Sequence, residues 1–327
     1  MKKINFLFKC ANVYFHYHIK KYIPFVLSLQ ITDCCNLNCN FCIIPQKTLN
    51  ELKIKKIFGI INDAKKIGIP YISIFGGEPL LRKDVVKIGN KIKSSGIVSV
   101  LTTNGCLINE KLSKKLSNAY DFIKISFCGL ENTHNRITGN KNSYIQSIKG
   151  LNYLIKNKKK NKILLHFVVN KNNYKEIEKF IERFKNKVDG INLLPEIYYE
   201  KKYDDILFQK LWKKLYKEKK VTDSKFFINQ LNSNKIICDA GKLFNCIYPN
   251  GDVNACSTYN NLILGNVDNE RYFDIYNKKM PNRIKKKIKS CKGCYLKCST
   301  EISQIFRLPP HKLLYHLPSL LKTYKIL

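Results

Sequence analysis

Between residues 25 and 195, short runs of β-branched and other apolar residues alternate with longer stretches whose apolar positions recur every three or four residues. The runs 25–32, 71–75, 98–102, 122–126, 163–169 and 191–194 are predicted to be strands. The stretches 52–67, 84–94, 110–117, 144–157 and 174–184 are predicted to be the helices between them. Repeated strand–helix units of this kind predict an α/β fold around a parallel sheet. Farther along, residues 198–220 carry a helical pattern, and from residue 236 the chain becomes Cys-rich with short strands, Pro249, Asn250 and Gly251 marking a hairpin turn.

The chemistry-bearing strings fall just after predicted strands, where ligands of parallel α/β folds collect. After the first strand comes CNLNCNFC, which places Cys35, Cys39 and Cys42 as C-x3-C-x2-C. An iron–sulfur cluster is complete with four Cys ligands, so three leave one iron open to another group. Zinc accepts similar spacing. A disulfide fits poorly, because 13 Cys in a chain without a secretory signal pattern point to a reducing, cytoplasmic compartment. Cys34 breaks the spacing and is read as a bystander. GGEP (Gly76, Gly77, Glu78, Pro79) follows the second strand, Thr103-Asn104-Gly105 the third, and Ser126 closes the fourth.

Together these strings resemble the signature of the radical S-adenosylmethionine superfamily. The resemblance implies a partial (β/α)6 TIM-like barrel, open on one side, over 25–197. It also implies a [4Fe-4S] cluster held by Cys35, Cys39 and Cys42, whose open iron takes the amino and carboxylate groups of S-adenosylmethionine. Phe41 is then expected to pack on the adenine, GGEP to meet the methionyl amino group, Thr103 and Asn104 to line the site, and Ser126 to touch the cofactor. Arg136, in HNRITG, resembles the family arginine near the cofactor carboxylate, a task a guanidinium performs with two parallel hydrogen bonds; a surface ion pair is its alternative. His134 is read as structural. Where relatives have S-L-D-G this chain reads SFCG, so Cys128 stands in place of the Asp.

Cys238, Cys256 in GDVNAC, and Cys291 and Cys294 of CKGC resemble the twitch and SPASM auxiliary-cluster domains, over 236–300. Four thiolates make one closed auxiliary [4Fe-4S] cluster, able to pass electrons; zinc on the same thiols stays open. Cys298 is a further candidate ligand, Cys246 a spare thiol, and Cys10 and Cys106 are read as packing residues. The remaining divisions are a basic aromatic segment (1–24), a helical connector (198–235) and a basic apolar tail (301–327).

The formal charge of +35 invites nucleic acid, but only six of the 59 basic residues are Arg, the side chain suited to phosphate and base recognition. The run 156–162 reads as a solvated helix-to-strand loop. The charge leaves an acidic substrate or weak association with an anionic membrane surface. No apolar run approaches the ~20 residues that span a bilayer. The functional expectation is a radical S-adenosylmethionine enzyme that makes a 5′-deoxyadenosyl radical, abstracts hydrogen from a small molecule, and draws electrons from a flavodoxin or ferredoxin. A small molecule is favoured over a peptide because no stretch long enough for a peptide-recognition domain precedes the barrel. A peptide-modifying maturase is the alternative, and a non-catalytic iron–sulfur or zinc protein the alternative of another class. Glu196, Tyr198 and Tyr199 are candidate pocket residues.

Overall fold

The computed structural model describes residues 2–44, 51–196, 206–215, 217–218, 220–222, 227, 236–258, 261–291, 294 and 296–313. Strands β1 (Val26–Gln30), β2 (Tyr71–Phe75), β3 (Val98–Thr103), β4 (Phe122–Phe127), β5 (Lys162–Val169) and β6 (Gly190–Pro195) pair in parallel, each with its neighbour in sequence. Helices α2 (Ile54–Ile67), α3 (Val85–Ser94), α4 (Glu110–Ala119), α6 (Ser143–Lys156) and α7 (Ile177–Phe184) make the crossovers. The sheet does not close, and this is the expected partial TIM-like barrel.

Alternation along each strand separates two faces. Leu29, Ile74, Leu101, Ile123, Ile125, Leu165 and Ile191 turn outward into the helix-covered core. Opposite faces of β4, β5 and β6 bring Ser126, His166 and Asn192 into register across the concave side. Gly89 on α3 makes room for the fully buried ring of Tyr120, since a Cβ there would lie 2.6 Å from the ring carbons.

Three features were not legible in the pattern. Residues 2–18 form a helix, α1 (Lys2–His18), and HNRITG lies on a short helix, α5 (Glu131–Thr138), ended by Gly139 in the left-handed region at φ 66°. The connector pattern resolves into α8 (Ile206–Leu215); Tyr198 and Tyr199 lie outside the described residues. The Cys-rich segment is not hung on a linker alone. Its first strand, β7 (Phe244–Ile247), adds in parallel to the free edge of β1, covering backbone groups that an edge strand would otherwise expose. Strands β8 (Asp252–Asn254) and β9 (Ile263–Asn266) continue the sheet antiparallel, with the expected turn at Pro249–Gly251. Helices α9 (Tyr272–Asn277), α10 (Asn282–Ser290) and α11 (Lys297–Phe306) follow. Phe306 packs on Tyr14, Tyr17 and Phe25, so the start of the tail joins α1 and the barrel base; residues 314–327 lie outside the described ones.

Candidate active site and auxiliary thiol centre

The loop after β1 is fixed from three directions. The Gly77 and Glu78 N–H groups donate to the carbonyls of Thr32 (2.9 Å) and Cys34 (2.7 Å). The Asn38 and Asn40 N–H groups donate to Thr138 and Ile137 at the end of α5, and Asn104 Nδ2 donates to Asn36 Oδ1 at 2.8 Å. Arg82 closes the base, reaching the Ile31 and Leu52 carbonyls and pairing with Glu51 and Asp84. The strings after β1, β2 and β3 thus meet at one rim, where the end of helix α5 joins them.

Glu78 organises this rim from below. Its side chain is 0% exposed and its carboxylate accepts from Leu80 N (2.9 Å), Thr103 Oγ1 (2.7 Å) and Asn104 N (2.7 Å). Burial pushes its pKa up against the pull of those three donors. The carboxylate therefore ties loop to loop, and what GGEP offers a ligand is backbone. Gly76 and Gly77 are required by the approach: a Cβ would lie 2.4 Å from the Thr32 carbonyl at the first and 2.2 Å from that of Cys34 at the second. Because those neighbours are backbone and cannot step aside, Gly77→Ala is expected to displace the Cys loop, destabilise the fold by about 1–3 kcal/mol and lower anaerobically reconstituted iron, as read by urea titration and iron assay.

Cys35, Cys39 and Cys42 interact electrostatically. Burial, then mutual repulsion with Cys42 and Cys35, pushes the Cys39 thiol up to about 12, and Cys35 is raised mainly by burial. Three crowded thiolates need a strongly cationic centre to persist, which is the donor chemistry an iron–sulfur cluster satisfies. Among the described residues no three metal-binding side chains converge on a single-ion site; a cluster takes each thiolate on a different iron. Leu37 N donates to Cys35 Sγ at 3.4 Å. Phe41 is half-buried outside the core, and Arg136 is exposed with no ion pair among the described residues.

Cys106, read as packing, lies close enough to Cys39 to raise it electrostatically and to Cys35 to be raised by it, although its Sγ is held by Ser147 Oγ at 3.4 Å. Cys128 is buried, also near Cys39 and Cys42, with its thiol pushed far up by burial. His134, read as structural, is buried: Nδ1 accepts from Cys128 N at 3.1 Å, and Nε2 has no partner among the described residues. Burial lowers its pKa to about 4. The folded imidazole stays neutral where the unfolded one, near its ordinary 6.5, takes a proton. Stability is therefore full above about pH 6.5 and falls by about 3 kcal/mol on the way to pH 4. Urea titrations at several pH values check this, and His134→Asn should flatten that slope.

The concave face holds residues the sequence reading missed. His166 Nε2 lies 3.0 Å from Asn192 Nδ2, and the Thr222 hydroxyl meets Asn192 Oδ1. Lys124 shares the face of Ser126, two positions earlier on β4. A lysine and a histidine inside otherwise apolar strands were the available signal.

At the other centre, Cys238 couples electrostatically to Cys256 and Cys294, and Cys294 to Cys291. Burial above all pushes Cys238 up to about 12 and Cys294 up to about 11. Thr258, which sequence reasoning missed, sits between two thiols: its Oγ1 is 3.2 Å from Cys256 Sγ and 3.8 Å from Cys294 Sγ, and its N–H donates to Cys256 Sγ. Ala255, Leu262 and Ile284 pack as a small apolar floor beneath. Cys246 is inside β7, paired with Ser28 and Asn254. The side chain of Cys298 lies outside the described ones.

A family model described as the radical SAM superfamily matches residues 29–184, and one described as an iron–sulfur cluster-binding domain, SPASM, matches 238–295. The chain is 30% identical over 156 residues to Fe-coproporphyrin III synthase of Methanosarcina barkeri, covering 46% of this chain and 39% of that protein. To a probable GTP 3′,8-cyclase of Saccharolobus solfataricus it is 33% identical over 170 residues, 51% of this chain and 54% of the relative. It thus spans about half, or less, of the length of these curated relatives. Streptococcus suis SuiB bound to S-adenosylmethionine shares the fold, with a TM-score of 0.70 at 20% identity over 84% of this chain and 70% of that one. This chain belongs to the radical S-adenosylmethionine superfamily and carries a SPASM iron–sulfur cluster-binding domain toward its C-terminus.

Proposed function

We propose that the protein is a radical S-adenosylmethionine enzyme acting on a polar small molecule held on the concave face of the barrel. The observation that carries this reading is the three-Cys loop clamped to GGEP, to Asn104 and to the end of α5 at one rim. Cys35, Cys39 and Cys42 would hold the first cluster, and Cys238, Cys256, Cys291 and Cys294 the auxiliary one. When bound, the reduced cluster and S-adenosylmethionine supply a 5′-deoxyadenosyl radical that abstracts hydrogen from substrate.

The chain's own residues do the rest. Backbone groups of Gly76 and Gly77 and the exposed guanidinium of Arg136 receive the amino and carboxylate ends of the cofactor, and Phe41 covers its adenine. Rigid fixing of the Cys loop by Glu78 and Asn104 keeps the reacting partners at contact distance and limits access of water. Lys124, Ser126, His166 and Asn192 give the lumen a cation and hydrogen-bonding groups, which suit a hydroxylated or anionic substrate. Thr258 donates toward the auxiliary sulfurs and so tunes the potential at which that centre accepts an electron. The electron donor is of the flavodoxin or ferredoxin class, in a reducing cytoplasmic compartment.

The test is anaerobic reconstitution with iron and sulfide, followed by S-adenosylmethionine with and without dithionite. Reductant-dependent 5′-deoxyadenosine is expected. Protein that carries its clusters and yields none would overturn the reading.

A further inference from the structure

We propose that the outward face of α1 is a docking surface for an anionic lipid bilayer. Ile4, Phe8, Phe15 and Ile19 recur at spacings that keep them on one side of the helix, 60%, 70%, 60% and 46% exposed, with Leu7 beside them. The opposite side, Phe6 and Val13 with Cys10, Tyr14 and Tyr17, is packed into the core. Of the ten large hydrophobic side chains exposed among the described residues, five are on this one helix or just after it. The other five are scattered over separate elements, which is ordinary for a soluble surface.

Charge identifies the occupant. Residues 1–32 contain no Asp or Glu and five Lys, at positions 2, 3, 9, 20 and 21, and Lys65 at the end of α2 lies near Lys9. A basic helix with a large aromatic face is the pattern that lies in the headgroup region of an anionic bilayer. A second copy of this chain would bring the same positive charge against itself. No helix among the described residues is long and apolar enough to cross a membrane, so the contact is peripheral.

Position supports it. Lys9 Nζ donates to the Gly96 carbonyl at 2.9 Å, and the side chains of Asn5 and Asn12 approach Gly96 and Gly68, in the turns that lead into β3 and β2. Helix α1 therefore sits at the amino ends of the strands. A protein resting on this face keeps the carboxyl rim, where the Cys loop lies, turned away from the lipid and open.

Full-length protein would be sedimented with phosphatidylcholine vesicles, with and without phosphatidylglycerol. Binding is expected to be at least about tenfold stronger to the anionic vesicles and to weaken with salt. The double variant Phe8→Ser/Phe15→Ser should lose about tenfold or more of it, while Ile145→Ser, an exposed apolar residue on α6, should not. Phe8→Trp, read against the fully buried Trp212, should shift to the blue on anionic vesicles and be quenched by brominated lipid. Unchanged binding of the double variant, no binding at all, or a dimer that the double variant dissolves would overturn the proposal.

Discussion

Replacing Cys35, Cys39 and Cys42 together by Ala is expected to abolish reductant-dependent 5′-deoxyadenosine while leaving roughly half of the reconstituted iron, that of the auxiliary centre. The thiols of the two centres belong to different parts of the chain, one group in the loop after β1 and the other around β7–β9 and α10, so one set can be emptied alone. The reverse variant, Cys238→Ala/Cys256→Ala, should keep the first centre and its perturbation by S-adenosylmethionine. Iron and sulfide counts with chromatography of the nucleoside check both. A triple variant that still made 5′-deoxyadenosine would show that the first centre lies elsewhere.

Glu78→Ala is expected to destabilise the protein by about 3 kcal/mol or more, because it strands the Leu80 and Asn104 N–H groups and the Thr103 hydroxyl in the interior. Glu78→Gln keeps the shape and one accepting oxygen, and should lose about half as much. In either variant the loops after β2 and β3 separate from the Cys loop, since Asn104 holds Asn36. Affinity for S-adenosylmethionine should therefore fall along with stability, by about tenfold for the Gln variant. Urea titration and equilibrium binding to reconstituted protein measure the two effects.

The strands were legible because most are short apolar runs rich in β-branched residues and bounded by Gly, Pro or Asn, and because the core-facing positions of β2 and β4 are apolar at every second residue. The rim followed, since each motif sits directly after its strand. Helix α1 escaped because its apolar residues occupy two faces, one packed and one exposed, and no single stripe stands out against the lysines. Helix α5 is eight residues long and mostly polar, with Gly139 as its one plain signal. The addition of β7 to β1 is a pairing between segments more than two hundred residues apart, which no local periodicity encodes. In the site, the Cys spacing could be read but the tether through Glu78 could not. A Glu beside two glycines looks like a ligand until its carboxylate is seen facing inward, away from solvent. Thr258 and the lumen group of Lys124 and His166 depend in the same way on tertiary placement.

The proposed function requires a cluster on Cys35, Cys39 and Cys42 with one iron left open for S-adenosylmethionine. Electron paramagnetic resonance of the reduced Cys238→Ala/Cys256→Ala variant, with cofactor labelled at its amino nitrogen, tests it most directly. A changed spectrum with hyperfine coupling to the labelled nitrogen is the expected result. An unchanged spectrum, with a fourth protein ligand on that iron, would contradict the account.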